Sequence, residues 1–197
     1  MIILIDNGHG YDTPGKCSPD KKLREYAYAR EIAKRIVKEL KQQNYNAELL
    51  VTEENDVSLK ERVTRTNNIC KKHGASNVIF ISIHCNASGN GDWMKAQGWS
   101  AFTSKGNTKS DKIASILYEY AEKYFKNRKI RTDYSDKDSD WEENFYVLKN
   151  TNCPAVLTEN FFMDNKDDVN YLLSEEGKTA IVKTHVDAIQ KYIKEYA

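Results

Sequence analysis

The chain has 197 residues, enough for one domain with a substantial core and too few for two comfortable ones. An apolar fraction of 40% with 30% charged residues fits a folded globular protein and excludes a disordered one. Lys plus Arg total 30 and Asp plus Glu total 29, so a formal charge of +1 gives no pull toward nucleic acid or an anionic membrane.

Met1-Ile2-Ile3-Leu4-Ile5 has no basic region ahead of it and ends at Asp6, unlike a signal peptide. No run approaches the length of a membrane-spanning helix. The expectation is synthesis in the cytoplasm without membrane insertion. Cys17, Cys70, Cys85 and Cys153 form no C-x-x-C pair and are read as reduced thiols.

Residues 2–5 form an apolar, β-branched run that predicts a buried strand. Residues 7–22, rich in Gly, Pro, Asp and Ser, predict a loop. Tyr28, Ile32, Ile36, Val37 and Leu40 recur at helical spacing within a helix over 25–43. A second strand follows at 47–51. A helix over 58–72 opens on Ser58, with Glu61 placed to complete a capping box. Residues 78–83 predict a third strand, 86–97 a loop, and 98–103 a strand with Trp99 and Phe102 on opposite sides. A helix over 110–124 precedes a charged, irregular stretch at 127–144. Strands at 145–148 and 155–158 and helices at 167–173 and 175–196 complete the chain. This alternation predicts an α/β fold with a mainly parallel twisted sheet of about six strands and helices on both faces. No repeat or linker divides it, so residues 1–197 are read as a single domain.

Four residues carry chemistry: His9, Glu25, His84 and Glu159. In an open α/β sheet, ligands bind beyond the carboxyl ends of the strands. His9, His84 and Glu159 each follow a predicted strand, and Glu25 opens the helix that starts at the same rim. Taken alone, each has an ordinary explanation, such as a hydrogen-bonded loop histidine or an acid favoured at a helix start. Their joint placement at one rim is the signal. Two imidazoles and a carboxylate are a common catalytic zinc set, and a further carboxylate supplies the base for hydrolysis. Residue types and spacing reach as far as metal-assisted amide hydrolysis. His73 and His185 have no partner at ligand spacing and are read as structural. Cys85 should point away from His84 in an extended segment and pack in the core.

The chain resembles the zinc-dependent N-acetylmuramoyl-L-alanine amidases of the amidase 3 type. The resemblance runs through Ile5-Asp6-Asn7-Gly8-His9-Gly10, Glu25 before a long helix, and Leu59, Arg62 and Asn67. It continues through Phe80-Ile81-Ser82-Ile83-His84-Cys85-Asn86-Ala87, Val147-Leu148, Pro154-Ala155-Val156-Leu157-Thr158-Glu159, Phe162 and Asn165. The chain departs from the family pattern at Asn7, where many members have Pro, at Cys85, where Ala is common, and in the loop at Thr13-Pro14-Gly15-Lys16.

The resemblance implies one zinc ion per chain, bound by His9, Glu25 and His84, with Glu159 as the catalytic carboxylate. It implies a peptidoglycan or muropeptide substrate, cut between N-acetylmuramic acid and L-alanine. It also implies a bacterial setting and action on the cell wall after release or export, as in phage or prophage lysis enzymes. The same four residues would serve a zinc peptidase cutting within the stem peptide. An inactive wall-binding domain would show a lost ligand or a lost Glu159. A monomer is expected. Asp6 is read either as orienting His9 or as a loop or helix cap. Asn86 is a candidate for supporting a metal ligand or touching the substrate. Trp93 and Trp141, in polar loops, are candidates for a substrate groove, as flat rings suit sugar and peptide faces. Trp99 and Tyr146 are read as strand residues serving the core, and Arg62 as a buried ion-pair partner.

Overall fold

The computed structural model describes residues 1–135 and 137–196. Its strands are β1 (Ile2–Asn7), β2 (Asn46–Leu49), β3 (Val78–Asn86), β4 (Ser100–Thr103), β5 (Trp141–Glu142) and β6 (Ala155–Phe162). Its helices are α1 (Glu25–Gln42), α2 (Leu59–His73), α3 (Lys109–Tyr124), α4 (Tyr146–Asn150), α5 (Lys166–Leu173) and α6 (Glu175–Tyr196). The strands form one six-stranded sheet in the order β2-β1-β3-β6-β4-β5. Pairing is parallel throughout except between β4 and β6.

Strand alternation sorts the apolar residues onto two faces. Ile3, Ile5, Ile79, Ile81 and Ile83 face the larger core, which is covered by α1, α3 and α6. Leu4, Phe80, Ala155 and Leu157 face a smaller core under α2 and α4. The expected α/β sheet covered on both faces is therefore present. None of the described helices is long and apolar enough to cross a membrane. The four cysteines are free, and Cys85 is buried in the larger core.

Local expectations fail where short-range pattern is ambiguous. Residues 145–148 are not a strand. Tyr146–Asn150 forms α4, whose turn is closed by the Asn150 amide donating to the Tyr146 carbonyl at 2.8 Å and the Thr151 hydroxyl donating to that of Val147 at 2.7 Å. A four-residue apolar run cannot separate helix from strand by period. The sheet instead takes Trp141–Glu142 from the stretch read as irregular, pairing it beside β4. Only half of the capping box at α2 forms. Ser58 accepts the Glu61 N–H at 3.2 Å, but the Glu61 carboxylate turns outward to Arg65. β3 and β6 run further than expected, so His84 and Glu159 sit inside strand ends rather than after them.

Candidate active site

One face of the central strands changes character along its length. At Leu4, Phe80 and Ala155 it is apolar and buried. Two residues on stand Asp6, Ser82 and Leu157, registered across β1, β3 and β6. Two further on stand Gly8, His84 and Glu159, with His84 and Glu159 registered partners. The period of two of a strand thus carries a core row upward into a polar row at the carboxyl rim. An open cavity of about 260 Å³ lies over it, and its lining includes His9, His84 and Glu159.

His9, Glu25 and His84 converge there. Each offers one ligating atom, and these atoms lie within 4.8 Å of one another. His9 Nε2 is 3.4 Å from Glu25 Oε2, and His84 Nδ1 is 3.1 Å from Glu25 Oε1. The two imidazoles meet edge to face with centroids 5.0 Å apart. Glu25 is 1% exposed, and the Cys85 N–H donates to its Oε1 at 3.0 Å, but its Oε2 accepts no hydrogen bond. A buried carboxylate oxygen without a donor, facing an imidazole nitrogen, suits a cation between them. Burial alone would raise the Glu25 pKa, but hydrogen bonds and charge from His84 and His9 overcome it and hold the carboxyl well below the usual range.

Backbone geometry sets these side chains. His9 has φ 60°, a left-handed conformation unusual for a residue with a side chain. Arg30 of α1 secures it by donating to the His9 carbonyl at 2.8 Å while reaching the Glu53 carbonyl at 2.8 Å. Glycine at position 8 leaves room for His84, because a Cβ there would lie 2.2 Å from its ring and force it to shift.

Glu159 stands beside His84 but outside the three-ligand cluster. Burial pushes its carboxyl up to about 7; the Glu25 charge adds to this, while His84, Lys16 and Arg131 oppose it. Directly after it, the β3–β6 ladder shifts register, and Phe161 takes φ 63°. Asn160, fully buried, pins this bulge: its amide donates to the His84 carbonyl at 3.0 Å and its Oδ1 accepts the Trp99 indole N–H at 3.0 Å.

The other residues singled out by sequence are placed as follows. Asp6 neither orients His9 nor caps a loop or helix. Its oxygens are taken by the Arg62 guanidinium and by the Ser82 hydroxyl, the latter at 2.6 Å, in the floor of the cavity. Arg62 is the buried ion-pair partner expected of it. Asn86 turns back on its own chain, accepting the Ala87 N–H at 2.8 Å, and does not line the cavity. Trp93 and Trp141 do not line it either. Trp93 packs against the larger core, where the next residue, Met94, donates its N–H to the Asp164 carbonyl at 2.7 Å. Trp141 pairs into the sheet, packs on Phe102 and donates to the Arg131 carbonyl at 3.3 Å. Trp99 is buried as expected, but Tyr146 is 43% exposed and lines the cavity from α4 with Phe145 and Val147. His185 is buried, with its ring between the Thr158 hydroxyl and the Ile181 carbonyl. Arg30, Asn160 and Lys16 were not singled out by sequence. No local pattern separates Arg30 or Lys16 from the many other basic residues, and the neighbourhood of Asn160 to Glu159 was the one available hint.

Residues 3–191 match the family model described as N-acetylmuramoyl-L-alanine amidase. The chain is 27% identical over 195 residues to an endolysin of Bacillus phage SPP1, covering 98% of this chain and 66% of that protein. It is 28% identical over 191 residues to a sporulation-specific N-acetylmuramoyl-L-alanine amidase of Bacillus subtilis, covering 96% of this chain and 67% of that one. It thus spans about two thirds of the length of these relatives. Its structure is similar to that of an N-acetylmuramoyl-L-alanine amidase from Clostridium difficile 630, with a TM-score of 0.85 and 25% identity, covering 100% of this chain and 98% of the other.

Proposed function

The chain belongs to the N-acetylmuramoyl-L-alanine amidase family, and we propose that it hydrolyses the amide joining N-acetylmuramic acid to the L-alanine of a peptidoglycan stem peptide, with His9, Glu25 and His84 holding one zinc ion and Glu159 moving the protons. The observation that carries this reading is the convergence of three ligand atoms within 4.8 Å of one another beside a fourth, unengaged carboxylate. The donor set fits: two imidazole nitrogens and one carboxylate oxygen are donors of the kind zinc takes.

A zinc ion held by His9, Glu25 and His84 would supply Lewis-acid chemistry for amide hydrolysis at neutral pH. Glu159 takes a proton from the attacking water and delivers it to the leaving alanine nitrogen. Its Oε2 is buried without a hydrogen-bond partner, which leaves it free to take and return the proton. The Cys85 N–H fixes the rotamer of Glu25, and Asn160 fixes the strand segment that presents Glu159. The apolar wall of Val57, Leu59, Phe145 and Tyr146 offers surface to the substrate and excludes water from one side of the cavity. Residues 1–197 act as a single catalytic domain in this reading, working as a monomer on the cell wall.

Mass spectrometry of digested peptidoglycan tests it. Amidase action releases intact stem peptides and peptide-free glycan, and a chelator stops it. Fragments retaining L-alanine on the sugar would show a peptidase instead.

A further inference from the structure

The catalytic cavity does not end at the zinc ligands. Lys16 lines it and also lines a second depression, of about 240 Å³, formed by the hairpin-like loop between β1 and α1. Lys21, Arg24, Tyr11 and Tyr26 complete much of that lining. We propose that this basic depression is a subsite for the peptide arm of the substrate, which it recognises through a carboxylate near the scissile amide. The inference rests on the amidase reading above.

Three observations carry it. The first is unbalanced charge. Among the described residues, Lys16, Lys21 and Arg24 pair with no carboxylate, whereas their neighbour Lys22 pairs with Asp20 at 3.6 Å. The one acid in the lining, Asp12, is used within the protein, where it accepts the Asp56 N–H at 2.7 Å. These three cations line one depression, which adjoins the site through Lys16.

The second observation is order. Cys17 and Arg24 bridge as antiparallel neighbours, and the Glu25 N–H donates to the Lys16 carbonyl at 2.9 Å. Ser18 is fully buried; its hydroxyl accepts the Leu23 N–H at 3.0 Å and donates to Asp20 at 2.7 Å. The cations are thus presented from a braced loop whose last residues lead directly into Glu25.

The third is position. Lys16 and Glu159 line the same cavity, so a group bound at Lys16 lies beside the reacting atoms. Leu59, Phe145 and Tyr146 come from the α2–α4 side, whereas Lys16 comes from the loop before α1, where its carbonyl accepts the Glu25 N–H. The two arms of a branched substrate therefore meet unlike walls. The glycan near the scissile bond is neutral, because its lactyl carboxyl is consumed in the amide. The stem peptide carries free carboxylates, and the γ-linked acidic residue after alanine offers one. Ammonium and guanidinium groups bind carboxylates through charge-assisted hydrogen bonds.

The test compares kcat/KM for two muropeptides, one with a free carboxylate at the second stem residue and one with a carboxamide there. One hydrogen bond to a charged group predicts a preference of about ten-fold or more for the acid in the unaltered zinc enzyme. Lys16→Met and the double variant Lys21→Gln/Arg24→Gln should each move the ratio toward one, while Lys16→Arg keeps it. Equal cleavage of both substrates by the unaltered enzyme would overturn the subsite. So would variants that lose both substrates in proportion while the ratio stands, since that is the signature of a structural or purely catalytic role. Failure to cut either substrate would overturn the amidase reading, and the subsite with it.

Discussion

His84 and Glu159 are registered partners on the parallel strands β3 and β6, so their side chains leave the same face of the sheet side by side. Only His84 belongs to the three-residue cluster with Glu25 and His9; Glu159 Oε2 is buried without a hydrogen-bond partner. In the proposed reading a ligand and a base are thus set apart by one strand spacing, which a sheet holds more rigidly than any loop.

That separation predicts the behaviour of Glu159→Gln. The amide keeps size and shape but cannot take a proton at neutral pH. General acid–base catalysis contributes on the order of a hundred- to ten-thousand-fold. Activity should fall by at least that scale while elemental analysis still finds a near-stoichiometric zinc ion. Loss of zinc together with activity would make Glu159 a ligand.

His9→Ala and His84→Ala should each lose most of the bound metal and all measurable activity. The fold should persist, since both side chains sit at the rim and are only partly buried. Circular dichroism with metal analysis checks both points, and full occupancy in either variant would remove that residue from the set.

The rim was legible because two periodicities agree. Apolar, β-branched runs mark where strands end, and the first amphipathic helix opens on Glu25, so His9, His84 and Glu159 could be set at one edge by topology alone. What surrounds them was not legible, because it is made of long-range partnerships. The Asp6 carboxylate is bound by Arg62 and Ser82, and the His9 carbonyl by Arg30. No spacing rule links such pairs. The cavity wall from α4 was missed for a different reason: Phe145-Tyr146-Val147-Leu148 is too short for its period to show a helix. Trp93 and Trp141 misled because polar flanking sequence says little about which way a large ring turns.

Gly8→Ala tests how tightly the rim is packed. The added methyl would meet the His84 ring at 2.2 Å, so the imidazole must move. Disturbing the support of a ligand typically costs roughly ten- to a hundred-fold in metal affinity. A competition titration with a chromogenic chelator should show that loss with little change in secondary structure. Unchanged affinity would mean that the ring has room to shift.

Arg62→Met should be the most destabilising of these changes. Arg62 is 2% exposed and Asp6 1%, and the guanidinium also serves Asp56 and the carbonyls of Val57 and Asn7. Removing it strands a buried carboxylate, which typically costs about 3–5 kcal/mol. Urea unfolding should report that loss. The double variant Arg62→Met/Asp6→Leu should recover a good part of it, since an apolar replacement of both partners removes the uncompensated charge. A double variant as unstable as the single one would place the cost in the lost backbone contacts instead.

His185 gives the fold a defined acid response. Burial pushes its pKa down to about 4, partly offset by the hydrogen bond to the Ile181 carbonyl. Its partners fit the neutral ring, with Nδ1–H donating to Ile181 at 2.7 Å and Nε2 accepting the Thr158 hydroxyl at 2.9 Å. The folded pKa lies below the ordinary value of 6.5, so between these limits the unfolded chain binds more protons. Stability from this group is therefore intact above about 6.5 and falls as pH drops toward 4. Integrating that difference gives about 2 kcal/mol lost between pH 7 and pH 5. Other groups titrate in the same range, Glu159 with the opposite sign, so the informative quantity is the difference between wild type and His185→Leu. Relative to the variant, wild type should lose about that amount over those two pH units. A difference that stays flat with pH would mean that His185 titrates alike in the folded and unfolded chains, and that its burial between α6 and β6 does not keep it neutral.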